Sequence, residues 1–152
     1  MRHSPSDFSA LYRPMAYLEW SDKFLTGISN IDVEHKNLFV ITNVLYDNVQ
    51  ANGPEANIVP VLTALGEYVR KHFSSEETAM RRAEYPGIVE HIEKHRAIDR
   101  KVQAYIEQCN DDPVAVDSKE LLEFLKRWLV NHVLKNDMDY VPYIKQAGNA
   151  PD

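Results

Sequence analysis

Five of the six histidines in this 152-residue chain fall where a helical reading turns inward. His35, His72, His91, His95 and His132 each lie on an apolar stripe, whereas His3 lies in an N-terminal stretch without periodicity. A single buried histidine is ordinarily a core residue satisfied by one hydrogen bond. If an inward stripe takes about a third of helical positions, five independent histidines all fall inside with a chance of roughly 0.4%. A buried imidazole is costly unless it finds a partner. A shared metal would be a partner for all five.

The spacings agree. His72 and Glu76 stand four residues apart, one turn along the same face, and so do His91 and His95. Glu76 on an inner face would be an unpaired buried charge in an ordinary core, but it is a natural ligand beside a cation. Its neighbour Glu77 points elsewhere and is expected to be solvated. On the fourth helix, Asp139 lies seven residues beyond His132 and returns to the same face. Asp137, five beyond, lies roughly 140° away on a regular helix, so periodicity selects Asp139.

Five imidazoles and a carboxylate exceed what one zinc takes. A nitrogen-rich set with carboxylate suits iron, copper or nickel better than calcium or magnesium. Two metals share these ligands more sensibly than one. A ferritin-like di-iron site needs Glu-x-x-His pairs, and the chain has none.

Four helices must position these groups. Ile31, His35, Leu38, Thr42, Leu45 and Val49 form the first stripe, with Ser29 and Asp32 resembling a capping box and Asn52-Gly53-Pro54 as the stop. The second helix is expected from about Glu55 to Arg82, with Pro60 near its start, and Tyr85-Pro86-Gly87 breaks the chain after it. The third runs from about Ile88 to Cys109, and Asn110-Asp111-Asp112-Pro113 ends it. The fourth opens with Asp117 as its cap and Glu120 three positions on. A short amphipathic tail, Tyr140 to Ile144, is interrupted by Pro142. The expected fold is all-α: an antiparallel up-down-up-down four-helix bundle over 28–148, an N-terminal arm over 1–27, and a short C-terminal helical tail.

Composition narrows the field further. Lys and Arg number 17 against 23 Asp and Glu, a net charge of −6 with no basic cluster, which argues against nucleic acid or an anionic membrane as partner. Cys109 stands alone, so neither an internal disulfide nor a Cys-rich metal site is available. No apolar run would span a bilayer and no signal-peptide core is present, so a cytoplasmic location is expected.

The motifs together resemble the bacterial hemerythrins. Trp20, Gly27-Ile28 and the run Ile31-Asp32-Val33-Glu34-His35-Lys36-Asn37-Leu38-Phe39 are similar to that family's opening. His72-Phe73-Ser74-Ser75-Glu76-Glu77 with Met80 and Tyr85-Pro86, then His91-x-x-x-His95, then Trp128-Leu129-Val130-Asn131-His132 with Asp137, continue the likeness to Tyr143. The resemblance implies two non-heme iron ions with an oxo or hydroxo bridge. One iron would be held by His91, His95 and His132, the other by His35 and His72, with Glu76 and Asp137 bridging. It thereby selects Asp137 over Asp139, which requires the fourth helix to end or bulge near Lys135-Asn136. It also implies dioxygen as the ligand.

This ligand count fills eleven of about twelve positions on two six-coordinate irons. The open position falls on the iron with two histidines. Apolar side chains should keep water from it, and Phe73 and Leu129 are the candidates, with Leu38, Phe39 and Trp128 behind them. All five could equally be ordinary core. Tyr140 is open to two readings, a hydrogen bond near Asp137 or simple packing. The expected function is reversible dioxygen binding by a carrier, store or sensor and not catalysis, with no protein partner evident. A di-iron oxidase or peroxidase is the alternative, but it would need a proton supply that the pocket residues do not offer. A hydrolytic metalloenzyme would need a free general base, and both inner carboxylates are committed to metal.

Overall fold

The computed structural model describes residues 16–53 and 56–149. Residues 1–15, which hold most of the expected arm with His3, lie outside the described residues, as does Glu55, the expected start of the second helix. Four main helices form the bundle: α1 (Ser29–Asn52), α2 (Val59–Arg82), α3 (Ile88–Asp111) and α4 (Ser118–Asn131). A π-helical turn, His132–Asn136, joins α4 to α5 (Asp137–Asn149) without a break. Short connections leave successive helices antiparallel. α2 packs against α1 and α3, and α4 packs back on α1. Among the described residues there is no strand, and no helix is long and apolar enough to cross a membrane.

The capping box at α1 takes a different form from the one expected. Ser29 is already helical, and Ile28 holds the cap position without a side-chain bond. The carboxylate of Asp32 instead accepts from the Thr26 amide at 2.8 Å, the Gly27 amide at 3.1 Å and the Thr26 hydroxyl at 2.7 Å. Gly27, at φ +82°, turns the entering chain so that these amides point back at the first helical turn. At α4 the expected cap is present: Asp117 Oδ1 accepts from the amides of Lys119 and Glu120. α2 ends in a Schellman turn, with Tyr85 N–H bonded to Met80 O and Glu84 N–H to Arg81 O. Glu84 sits at φ 53°, a position usually given to glycine.

The inner stripes of the four helices meet in one core. Leu38, Leu45, Leu62, Leu65, Val69, Val102, Leu121, Leu125 and Leu129 are fully enclosed there. Gly66 allows α2 to approach α3 closely, since a Cβ there would lie 2.8 Å from Ile106 Cδ1. The segment before α1 is also packed: Leu18 and Phe24 are buried, and Phe39 lies edge-on to both Trp20 and Phe24, which are tilted against each other. The tail is longer than Tyr140 to Ile144. It begins at Asp137 and carries the exposed Pro142 within a continuous helix, because α5 packs on α2 as an extension of the fourth helix.

Candidate metal centre

Three bundle helices and the π-helical turn with the start of α5 bring the predicted donors to one level of the core. α1 supplies His35, α2 supplies His72 and Glu76, α3 supplies His91 and His95, the π-helical turn supplies His132, and Asp137 opens α5 directly after it. All seven are buried. They divide into two sets whose donor atoms lie within 4.8 Å of one another: His35, His72, Glu76, His132 and Asp137, and Glu76, His91, His95, His132 and Asp137. Glu76, His132 and Asp137 belong to both. By distance alone His132 faces both sets, its Nε2 lying 3.4 Å from His72 Nε2.

Six donor atoms approach one another closely without a hydrogen-bond partner. His35 Nε2 lies 2.7 Å from Asp137 Oδ2, His95 Nε2 lies 2.9 Å from Glu76 Oε1, and His91 Nε2 lies 3.1 Å from Asp137 Oδ1. None of these six atoms has a hydrogen-bond partner. Buried polar atoms are nearly always paired. Convergence without pairing is the arrangement expected of groups aimed at a shared cation, so the residues present fit two metal ions.

Periodicity alone points to Asp139 and the resemblance to Asp137, and burial separates the two. Asp139 is exposed and Asp137 is fully buried in the donor set. In the π-helical turn the Asp137 amide bonds to His132 O, five residues back. That wider turn carries Asp137 round to the face of His132, which a regular helix would not do.

Around the donors stands a second layer. Tyr140, fully buried, donates from its hydroxyl to Glu76 Oε2 at 2.6 Å, so its partner is Glu76 and not Asp137. Glu77, expected to be solvated, instead lies 2.9 Å from His95 Nδ1. α2 and α3 are close enough here for Glu77 to turn inward to α3. Glu34, which the sequence reading did not single out, lies 2.7 Å from His72 Nδ1. One signal was available: no lysine or arginine stands three or four residues from Glu34 to pair with it along α1. Because an ionised carboxylate only accepts, both imidazoles donate through Nδ1 and keep Nε2 free for the centre.

The electrostatics tie the cluster together. Burial disfavours a proton on His72, but Glu76 and Glu34 outweigh it and raise the imidazole to about 9. The same contest at His132, with Asp137 and Glu76 as partners, raises it to about 10. Burial pushes Glu76 upward, and the charges of His72 and His132 bring it well below the usual carboxylate range. Burial and the adjacent Glu76 also push Asp137 upward, yet His132 leaves it lowered. Protons and metal cations therefore compete for the same atoms.

The five pocket candidates are all buried. Phe73 stacks on His95, with centroids 3.8 Å apart, and lies edge-on to His132 and Trp128. Trp128 lies beside His132. Leu38 and Leu129 are fully enclosed in the core. Phe39 makes its ring contacts with Trp20 and Phe24, under the N-terminal segment.

Comparison with known proteins agrees with this geometry. The profile of the hemerythrin HHE cation binding domain matches residues 26–144. The bacteriohemerythrin of Pseudomonas paraeruginosa is 35% identical over 133 residues, covering 88% of this chain and 85% of that protein. Hemerythrin subunit alpha of Lingula anatina is 32% identical over 121 residues, covering 80% and 90%. A crystal structure of a leucine-to-alanine mutant of hemerythrin superposes with a TM-score of 0.78 at 30% identity, covering 86% of this chain and 98% of that one. With the bundle, the buried donor cluster and these likenesses in agreement, the chain belongs to the hemerythrin family.

Proposed function

We propose that this chain is a non-heme di-iron protein that binds dioxygen reversibly, as a carrier, store or sensor. The observation that carries the reading is the pair of overlapping donor sets, seven buried residues with three common to both. His91, His95 and His132 would hold one iron, His35 and His72 the other, and Glu76 and Asp137 both. Two ferrous ions so held would supply electrons and one open coordination position for dioxygen.

The chain's own residues do the rest. Glu34 and Glu77 fix the ring orientation of His72 and His95. Tyr140 holds Glu76 by a charge-assisted hydrogen bond. Phe73, Leu129, Leu38, Phe39 and Trp128 exclude water from the neighbourhood of the open position. Tyr140, Glu34 and Glu77 are each engaged with a ligand side chain, which favours release of the gas over proton-driven turnover. We assign the metal-binding unit to 28–148 and the arm to 1–27, of which the part from residue 16 onward packs on the bundle.

The test is gas uptake by anaerobically reduced, iron-loaded protein. About one dioxygen per iron pair, given back under vacuum, is the expected result, since one position is open. Sustained consumption with excess reductant, and little gas recovered, would replace this reading with an oxidase.

A further inference from the structure

Two carboxylates outside the ligand set hold ligand histidines by their outer nitrogens, and their surroundings differ. Glu34 reaches from α1 to α2, with Oε1 2.7 Å from His72 Nδ1 while Oε2 accepts from the Ser75 hydroxyl at 2.9 Å. Its side chain is 11% exposed, and among the described residues its ion-pair partner is His72, with no lysine or arginine in reach. Glu77 is 20% exposed, and while Oε2 holds His95 Nδ1, Oε1 lies 3.7 Å from Arg81 Nη2. The charge of Glu77 is therefore shared with a guanidinium and partly hydrated. That of Glu34 is enclosed and directed at one imidazole.

An anion in a low-dielectric setting without a counter-cation acts with little screening. Through an Nδ1–H hydrogen bond it makes the imidazole a stronger donor at Nε2. A stronger donor favours the higher-charged metal state, in which one electron has left the ferrous ion for an external oxidant.

We propose that Glu34, clamped by Ser75, is a positioning residue that places negative charge on His72 and makes the metal position of His35 and His72 the more readily oxidised of the two. The proposal rests on the di-iron reading above.

Glu34→Gln separates charge from position, because its amide oxygen still accepts from His72 Nδ1–H and its amide nitrogen still meets Ser75. In a mediator-dye redox titration of iron-loaded protein, Glu34→Gln should move the first one-electron oxidation to higher potential. The shift should correspond to about tenfold in the equilibrium constant, the low end of what altering an outer partner costs. Glu77→Gln should shift it less. In zinc-loaded protein the downfield imidazole N–H proton of His72 should persist in Glu34→Gln and vanish in Glu34→Ala. Should Glu34→Ala not fold, the glutamine variant still decides the matter.

An unshifted potential in Glu34→Gln, or equal shifts in Glu34→Gln and Glu77→Gln, overturns this inference alone. Wild-type protein that does not load two irons, seen by metal analysis beforehand, overturns the di-iron reading and this inference with it.

Discussion

The amide of Asp137 bonds to the carbonyl of His132, and their side chains meet again inside the bundle, with Asp137 Oδ2 2.9 Å from His132 Nε2. One π-helical turn thus gives two donors that a regular helix would send in different directions. Asp137→Asn should reduce metal content at both positions, because Asp137 belongs to both donor sets. Asp139→Asn, altering an exposed side chain, should leave it unchanged. Iron analysis of the two purified variants makes the comparison, and equal iron in both would remove Asp137 from the centre.

Tyr140 gives the centre a hydrogen bond it can lose without losing a ligand. Tyr140→Phe keeps the packing and removes the donor to Glu76 Oε2. A bond to a charged group contributes about 1.5–3 kcal/mol. Urea denaturation of the metal-free protein should show a loss of that order, while iron stoichiometry stays at the wild-type value. A loss of iron equal to that of Asp137→Asn would mean that Tyr140 does more than hold Glu76.

The metal-free chain should respond to pH in a defined direction. His72 and His132 are raised to about 9 and about 10, above the value of about 6.5 in an unfolded chain. Their contribution is fully present below about pH 6.5 and is lost as pH rises through the folded values. Glu76 and Asp137 are lowered, so theirs is present above about pH 4 and is lost in stronger acid. Stability should therefore be greatest between, and fall by on the order of a few kcal/mol toward pH 10. Metal binding should strengthen over the same rise, since the ligands must be deprotonated. Denaturation curves with and without chelator across pH 4 to 10 test both signs; a metal-free stability that climbs toward pH 10 would contradict the assignment.

Leu129 is fully enclosed in the core and is a leucine proposed above to line the pocket. Removing its buried side chain should cost about 2–5 kcal/mol, as for other enclosed leucines replaced by alanine. The space left beside the centre should admit water, so Leu129→Ala should oxidise in air several-fold faster at unchanged iron content. Stopped-flow absorbance in air, paired with iron analysis, separates the two effects. A wild-type oxidation rate in a destabilised variant would leave Leu129 as a core residue only.

Much of the fold is legible in the sequence. The stripes Ile31–His35–Leu38–Thr42–Leu45 and Leu121–Leu125–Trp128–His132 mark helix faces that are buried in the fold. The cap at Asp117 followed from residue type alone. The turn at Asp32 is less legible. Its carboxylate was placed correctly at the start of α1, but its partners are Thr26 and Gly27, which precede the helix and bear no periodic relation to it.

The sequence by itself determined which residues face inward, because helical periodicity is local and depends on neighbours three and four positions away. From that came the four helices, the histidines on their inner faces and the choice of Glu76. Tertiary structure decided what depends on another helix or on a change of pitch. Asp137 reaches the donor set, where periodicity alone points to Asp139 and the resemblance to Asp137, because the chain widens to a π-helical turn at His132, which no hydrophobic repeat encodes. Glu34 and Glu77 lie off the inner stripes, and their partners His72 and His95 are on neighbouring helices. Only the packing distance between those helices turns two apparently ordinary surface carboxylates into supports for the centre.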